Sequence, residues 1–94
     1  MAVAIVNGAA GTILIKAGGG QLYDLIGVAA GTSYAVTVKD GPDSAGNYRT
    51  LFGSTPVPIV AGQHLLVDGR DVSFRDGLSV TVSGTPGEFE VHYD

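Results

Sequence analysis

The sequence predicts an all-β protein, an antiparallel β-sandwich of jelly-roll or immunoglobulin-like type with about seven to nine short strands. Three observations carry this. Every window long enough for three helical turns contains glycine, proline or a β-branched run, and Gly and Pro cost about 1 and 3 kcal/mol inside a helix. Short β-rich runs recur, each closed by a glycine-containing turn. The 94 residues contain no linker and no internal repeat, so residues 1–94 form a single domain.

The expected strands follow in order. The first is Ala2 to Val6. The second, Thr12 to Ala17, ends at Gly18-Gly19-Gly20, and the third runs from Gln21 to Val28. In the fourth, Ser33 to Lys39, Tyr34, Val36 and Val38 alternate with Ala35, Thr37 and Lys39. Successive side chains on a strand face opposite sides, so the first set is assigned to the core. Asp40 to Asn47 is a loop, and Tyr48 to Phe52 a fifth strand. Gly53 to Pro58 holds two prolines and is a connection or an edge, because proline has no ladder N–H. Ile59-Val60 reads as part of a short strand, and His64 to Val67 as another, closed by the hairpin-type dipeptide Asp68-Gly69. Arg70 to Phe74 follows, then a second such turn at Asp76-Gly77. Leu78, Val80 and Val82 alternate with Ser79, Thr81 and Ser83. Phe89, Val91 and Tyr93 alternate with Glu88, Glu90, His92 and Asp94. With Gly84 to Gly87 between them, these last two strands are expected to pair as an antiparallel hairpin with one apolar and one wet face.

The surface is short of charge. Only 15% of residues are charged and 45% are hydrophobic, against about 25% charged in a typical domain. Either another molecule covers part of this surface, or Ser, Thr, Gly and Ala supply a weakly polar one. A small domain has a thin stability margin, and with no cysteine it must rely on its core, on assembly, or on both. The formal net charge of −4, with Lys16, Lys39, Arg49, Arg70 and Arg75 scattered, argues against nucleic acid as a partner. The N-terminus lacks a positive n-region, and Asn7-Gly8 breaks its apolar stretch. Neither a signal peptide nor a membrane span is expected, and the chain is expected to be made in a cytoplasm.

No catalytic pattern emerges, and the chain is read as a non-enzyme that needs no cofactor. Gly18-Gly19-Gly20 leads into Gln21-Leu22 rather than the Gly-Lys-Ser/Thr of a phosphate loop. Counting from Asp40, positions three and twelve are Pro42 and Leu51, which fails the EF-hand pattern, although the oxygen donors of the loop leave a weak calcium site open. Asp68, Asp71 and Asp76 are interleaved with Arg70 and Arg75 and read as solvated hairpin ends. His64 and His92 lack a third metal ligand at useful spacing; His92 is expected to be exposed or at an interface. No Gly-x-Ser-x-Gly elbow occurs. The aromatics read mainly as core; Tyr23 and Tyr48 are the two whose facing the alternation leaves open.

Several stretches together resemble a known family. They are Ala17-Gly18-Gly19-Gly20-Gln21-Leu22-Tyr23, Ala30-Gly31-Thr32-Ser33, and Val36-Thr37-Val38-Lys39-Asp40-Gly41. Phe74-Arg75-Asp76-Gly77-Leu78-Ser79-Val80, Ser83-Gly84-Thr85-Pro86 and Val91-His92-Tyr93 follow. Their order over residues 12–94 is similar to that of the small β-sandwich virion proteins encoded beside the capsid genes of tailed bacteriophages. The resemblance implies a capsid decoration or cement protein on the outer surface of the virion. It would bind and stabilise the shell of major capsid protein and self-associate, often as a trimer. It implies no catalytic residues. Related small folds occur in phage tails, necks and fibres, so an adhesin-like module binding a host glycan or receptor is the alternative. Residues 1–11 lie outside the match and could form an arm that adds a strand to a neighbour. The candidate interface is therefore Ala2, Val3, Ala4, Ile5 and Val6, with Tyr23 and Tyr48.

Overall fold

The computed structural model describes residues 2–8, 11–65, 72–84 and 87–94. These form β1 (Ala2–Asn7), β2 (Gly11–Ala17), β3 (Gly20–Ala29), β4 (Ala35–Asp40), β5 (Arg49–Pro58), β6 (Val72–Phe74), β7 (Gly77–Ser83) and β8 (Glu88–Tyr93), with no helix among the described residues. The strands make two four-stranded sheets, ordered β1-β8-β3-β6 and β2-β7-β4-β5. Every pairing is antiparallel.

The order has a simple origin. β1 pairs with β8, β2 with β7, β3 with β6 and β4 with β5, as if the chain were first doubled back into one long ribbon. Rolling that ribbon brings β8 against β3 and β7 against β4. This is the strand order of an eight-stranded jelly roll, so of the two sandwich types expected, the immunoglobulin-like one is set aside.

The core lies between the sheets. From one come Val6, Leu22, Leu25, Phe74, Phe89 and Val91; from the other come Val36, Val38, Leu78, Val80 and Val82, with Tyr34 and Ile59 just outside strands. Tyr34, Val36 and Val38 are buried as their alternation predicts. The ring of Tyr34 meets that of Phe89 at 6.0 Å between centroids, tilted by 54°.

The expected hairpin of the last two strands does not form. β7 and β8 lie in different sheets and turn Leu78, Val80 and Val82 toward Phe89 and Val91 across the core. One apolar face per strand is satisfied equally by sharing a sheet or by facing another sheet. The neighbours decide: β8 is enclosed by β1 and β3, and β7 by β2 and β4. Gly84 begins this crossing at a φ of +96°, and a Cβ there would strike the carbonyl oxygen of Ser33. For the same reason Asp76-Gly77 is a corner between sheets and not a hairpin turn, since β6 pairs with β3.

Other elements shift more modestly. The prolines of Gly53 to Pro58 sit in a continuation of β5 at the edge of its sheet, where their missing N–H groups cost no ladder bond. Ile59-Val60 is not a strand: Ile59 is buried, Val60 is 49% exposed, and the Ile59 N–H bonds the Tyr34 carbonyl at 2.9 Å. His64 makes an isolated bridge with Ile26 in place of a strand start; Leu66 to Asp71, with the Asp68-Gly69 turn, lie outside the described residues. Ser79, assigned to the wet face, is fully buried and donates its hydroxyl to the Gly41 carbonyl at 2.8 Å.

Candidate docking surface

β1 begins as an uncharged run, Ala-Val-Ala-Ile-Val-Asn. Its antiparallel register on β8 runs unbroken from Ala2↔Tyr93 to Asn7↔Glu88. The segment expected as a possible arm thus adds its strand to its own chain. The pleat then divides the five candidate residues. Val6 is buried in the core, Ala4 packs against it, and Ala2 is partly buried. Val3 and Ile5 point outward and are 51% and 64% exposed. Two branched apolar side chains thus stand on the outer face of an edge strand.

The outer face beside them carries rows set by register. Val3 stands next to His92, which stands next to Asp24; Ile5 stands next to Glu90, which stands next to Ile26. The His92 imidazole lies 3.1 Å from the Glu90 carboxylate, and Asn7 donates its amide to Glu88 at 2.8 Å. The bridge at Ile26 places His64 Nδ1 2.5 Å from an Asp24 carboxylate oxygen. Both histidines therefore share one face with three carboxylates, a grouping that sequence spacing did not disclose. Even so, no group of three or more His, Cys, Asp or Glu among the described residues is placed to hold a metal.

The two tyrosines stand apart from β1. Tyr23, on β3, is half-buried and donates its hydroxyl to an Asp94 carboxylate oxygen at 3.3 Å. Tyr48, just before β5, is 45% exposed, and Lys39 Nζ lies 5.7 Å from its ring centroid. Tyr48 belongs to the opposite sheet's end of the molecule, so the seven candidate residues do not form one patch.

The acidic loop after β4 is engaged with its own backbone. Asp43 Oδ1 accepts the N–H groups of Ala45 and Asn47, both at 2.9 Å. Asp40 is buried and accepts N–H groups from Arg75 at 2.9 Å, Asp76 at 2.8 Å and Gly77 at 3.3 Å, with the Arg49 guanidinium at 2.9 Å. Burial alone would push this carboxyl up; the three N–H groups and Arg49 outweigh it and hold it below its ordinary value. These are the contacts of a structural clasp. Of the three aspartates interleaved with Arg70 and Arg75, Asp68 and Asp71 lie outside the described residues, and Asp76 meets Arg75 at 3.5 Å on the surface.

The four sheet edges differ in how they are defended. β5 carries Pro56, Pro58 and a register break opposite β4. β6 is three residues long. β2 has a register shift between Leu14 and Lys16 and bears a lysine. Short strands, prolines, bulges and lysines are the usual barriers to edge pairing. β1 has none of them.

Comparison with protein-family models, with curated proteins and with solved structures gives no match.

Proposed function

We propose that this chain is a non-enzymatic virion structural protein, a decoration or cement protein that packs on the shell of a tailed phage and binds its major capsid protein. The carrying observation is the undefended apolar edge of β1, with Val3 and Ile5 exposed at 51% and 64%, on a chain with only 15% charged residues. The resemblance of residues 12–94 to phage virion proteins supplies the particle. The jelly roll serves both capsid and lectin domains, so the fold by itself does not choose between them.

A protein that binds assembled shells and not free subunits stabilises the shell by mass action. The test is co-sedimentation with undecorated phage shells, followed by thermal disruption of the decorated particles. Saturable binding with a raised disruption temperature is expected. Failure to bind shells at excess protein overturns the reading.

The rival reading, a tail, fibre or adhesin-like module for a host glycan or receptor, has one observation in its favour. Tyr48 is exposed beside Lys39 and directly follows the polar loop of Asp43 and Asn47. Aromatic faces flanked by polar groups suit sugar rings. Binding on a glycan array that Tyr48→Ala abolishes would favour this rival.

A further inference from the structure

We infer that β1 is a two-fold self-pairing edge: two copies of the chain join β1 to β1 antiparallel, centred on Ala4, into one continuous sheet. The inference rests on the self-association half of the reading above and needs no shell.

The backbone supplies the first argument. Gly8 donates its N–H to the Gly87 carbonyl at 2.9 Å, one step beyond the pair Asn7↔Glu88. Directly opposed residues in an antiparallel ladder alternate between bonded and non-bonded pairs. Ala2, Ala4 and Val6 therefore spend their backbone groups on β8. Val3, Ile5 and Asn7 turn theirs to the open edge. The residues with free backbone groups are thus the same ones whose side chains stand on the outer face.

Self-complementarity supplies the second. A two-fold axis at Ala4 sets Val3 opposite Ile5 of the second copy, and Ile5 opposite Val3. Both pairs then fall on residues with outward N–H and C=O groups, so the bonds and the side-chain contacts close together. Branched apolar pairs across strands are stabilising. The facing Ala4 residues are small enough for the close approach of a non-bonded pair.

Charge and the other edges supply the third. The chain carries a net charge of −4 but β1 carries none, so copies meet here without placing like charges in the ladder. β5, β6 and β2 are blocked by prolines, shortness, and a bulge with a lysine. An antiparallel edge pair is isologous and yields a dimer, not the trimer that the family resemblance implies. One strand pair buries well under the roughly 800 Å² per partner of a standard interface, so the dimer comes apart on dilution.

The experiment is sedimentation of the full chain from about 1 μM to about 1 mM, the range of modest interface affinities. The mass is expected to rise from one chain to two. Ile5→Lys should remain monomeric throughout while melting within a few degrees of the parent. Register is read by disulfide trapping, since the chain has no cysteine of its own. Mixed V3C and I5C chains should cross-link to each other under mild oxidation, because bonded partners stand about 5.5 Å apart at Cα, inside disulfide range. Neither variant alone should cross-link, its thiols being offset diagonally by about 7–8 Å. A parent chain that stays monomeric, an Ile5→Lys chain that still associates, or V3C that cross-links to itself overturns the inference. A chain that dimerises as described yet ignores shells upholds it and removes only the capsid reading.

Discussion

The carboxylate of Asp40, the last residue of β4, accepts the backbone N–H of Arg75 at 2.9 Å, and this contact ties one sheet to the corner from which the other is left. The same carboxylate takes the N–H groups of Asp76 and Gly77, so one buried side chain satisfies three donors of the β6–β7 corner.

This clasp makes stability acid-sensitive with a definite sign. The Asp40 carboxyl is held below the 3.8 of the unfolded chain. The ionised form is thus favoured by folding, and its contribution is full above that value and drains away as pH falls through the lower folded value. The melting temperature should drop below about pH 4 by more in the parent than in Asp40→Asn. Asp40→Ala strands three donors and should cost about 3 kcal/mol or more, since each buried unpaired group costs about 1–3. Arg49→Ala should cost less than about 1 kcal/mol, its side chain being 68% exposed. Thermal melts of the three variants between pH 3 and pH 7 check this. An Asp40→Ala chain as stable as the parent would remove the clasp.

Adjacent residues of β1 should respond oppositely to the same change. Val6→Asp buries a charge against Leu22, Phe89 and their neighbours and should abolish cooperative melting, since an isolated buried charge costs several kcal/mol. Ile5→Asp places the charge in water, opposite Glu90, and should cost no more than about 1 kcal/mol, the scale of a like-charge cross-strand pair. Deleting residues 1–7 removes Val6 and uncovers the β8 edge, so it should destabilise the fold, as an arm reaching only to a neighbour would not. Circular dichroism melts decide; equal effects at positions 5 and 6 would mean that the register of β1 is wrong.

Strand positions were largely legible because the pleat writes itself into the sequence: Leu78, Val80 and Val82 on one run, Phe89 and Val91 on another, are buried as the alternation requires. Which strands share a sheet was not legible. Alternation fixes the buried face of each strand, yet the same faces serve a hairpin or a pair of opposed sheets, and only the competition among all eight strands separates the two. The face shared by His64, His92 and Asp24 was hidden for the same reason. It exists because β3 lies beside β8 and because His64 bridges Ile26, both contacts between residues distant in sequence. By its neighbours Asp40 reads as the start of a loop, because an aspartate before glycine usually is one; nothing local marks it as a buried acceptor for a corner 35 residues later. Within the candidate surface, the sequence grouped Ala2 to Val6 without dividing them; that Val3 and Ile5 face out and Val6 faces in needed the register with β8.

The Tyr34 hydroxyl is a buried polar atom with no hydrogen-bond partner among the described residues, and burial pushes its pKa up. Removing a group in that position relieves a desolvation cost of about 1–3 kcal/mol. Tyr34→Phe keeps the ring against Phe89 and should melt at the same temperature or higher. Phe89→Ala removes the partner ring and should cost about 3–5 kcal/mol. A marked loss of stability in Tyr34→Phe would show that the hydroxyl has a partner that stabilises the fold.

Gly27 is the point at which the chain after β5 is sewn to the β3 strand. Its N–H bonds the Gln63 carbonyl at 2.9 Å and its carbonyl accepts from Gly62 at 2.7 Å, while Leu65 donates to Leu25 at 2.8 Å. A Cβ at position 27 would run into the carbonyl oxygen of Val60, and rigid backbone cannot give way as a flexible side chain would. Gly27→Ala should therefore push residues 59–65 off the sheet, cost about 1–3 kcal/mol as overpacking does, and speed amide exchange at Gly62 and Leu65. The loss should be local, because the segment adds Ile59 to the core but no strand to either sheet. Exchange that stays slow at Gly62 and Leu65 in a normally folded Gly27→Ala chain would show that this segment is not held against Gly27.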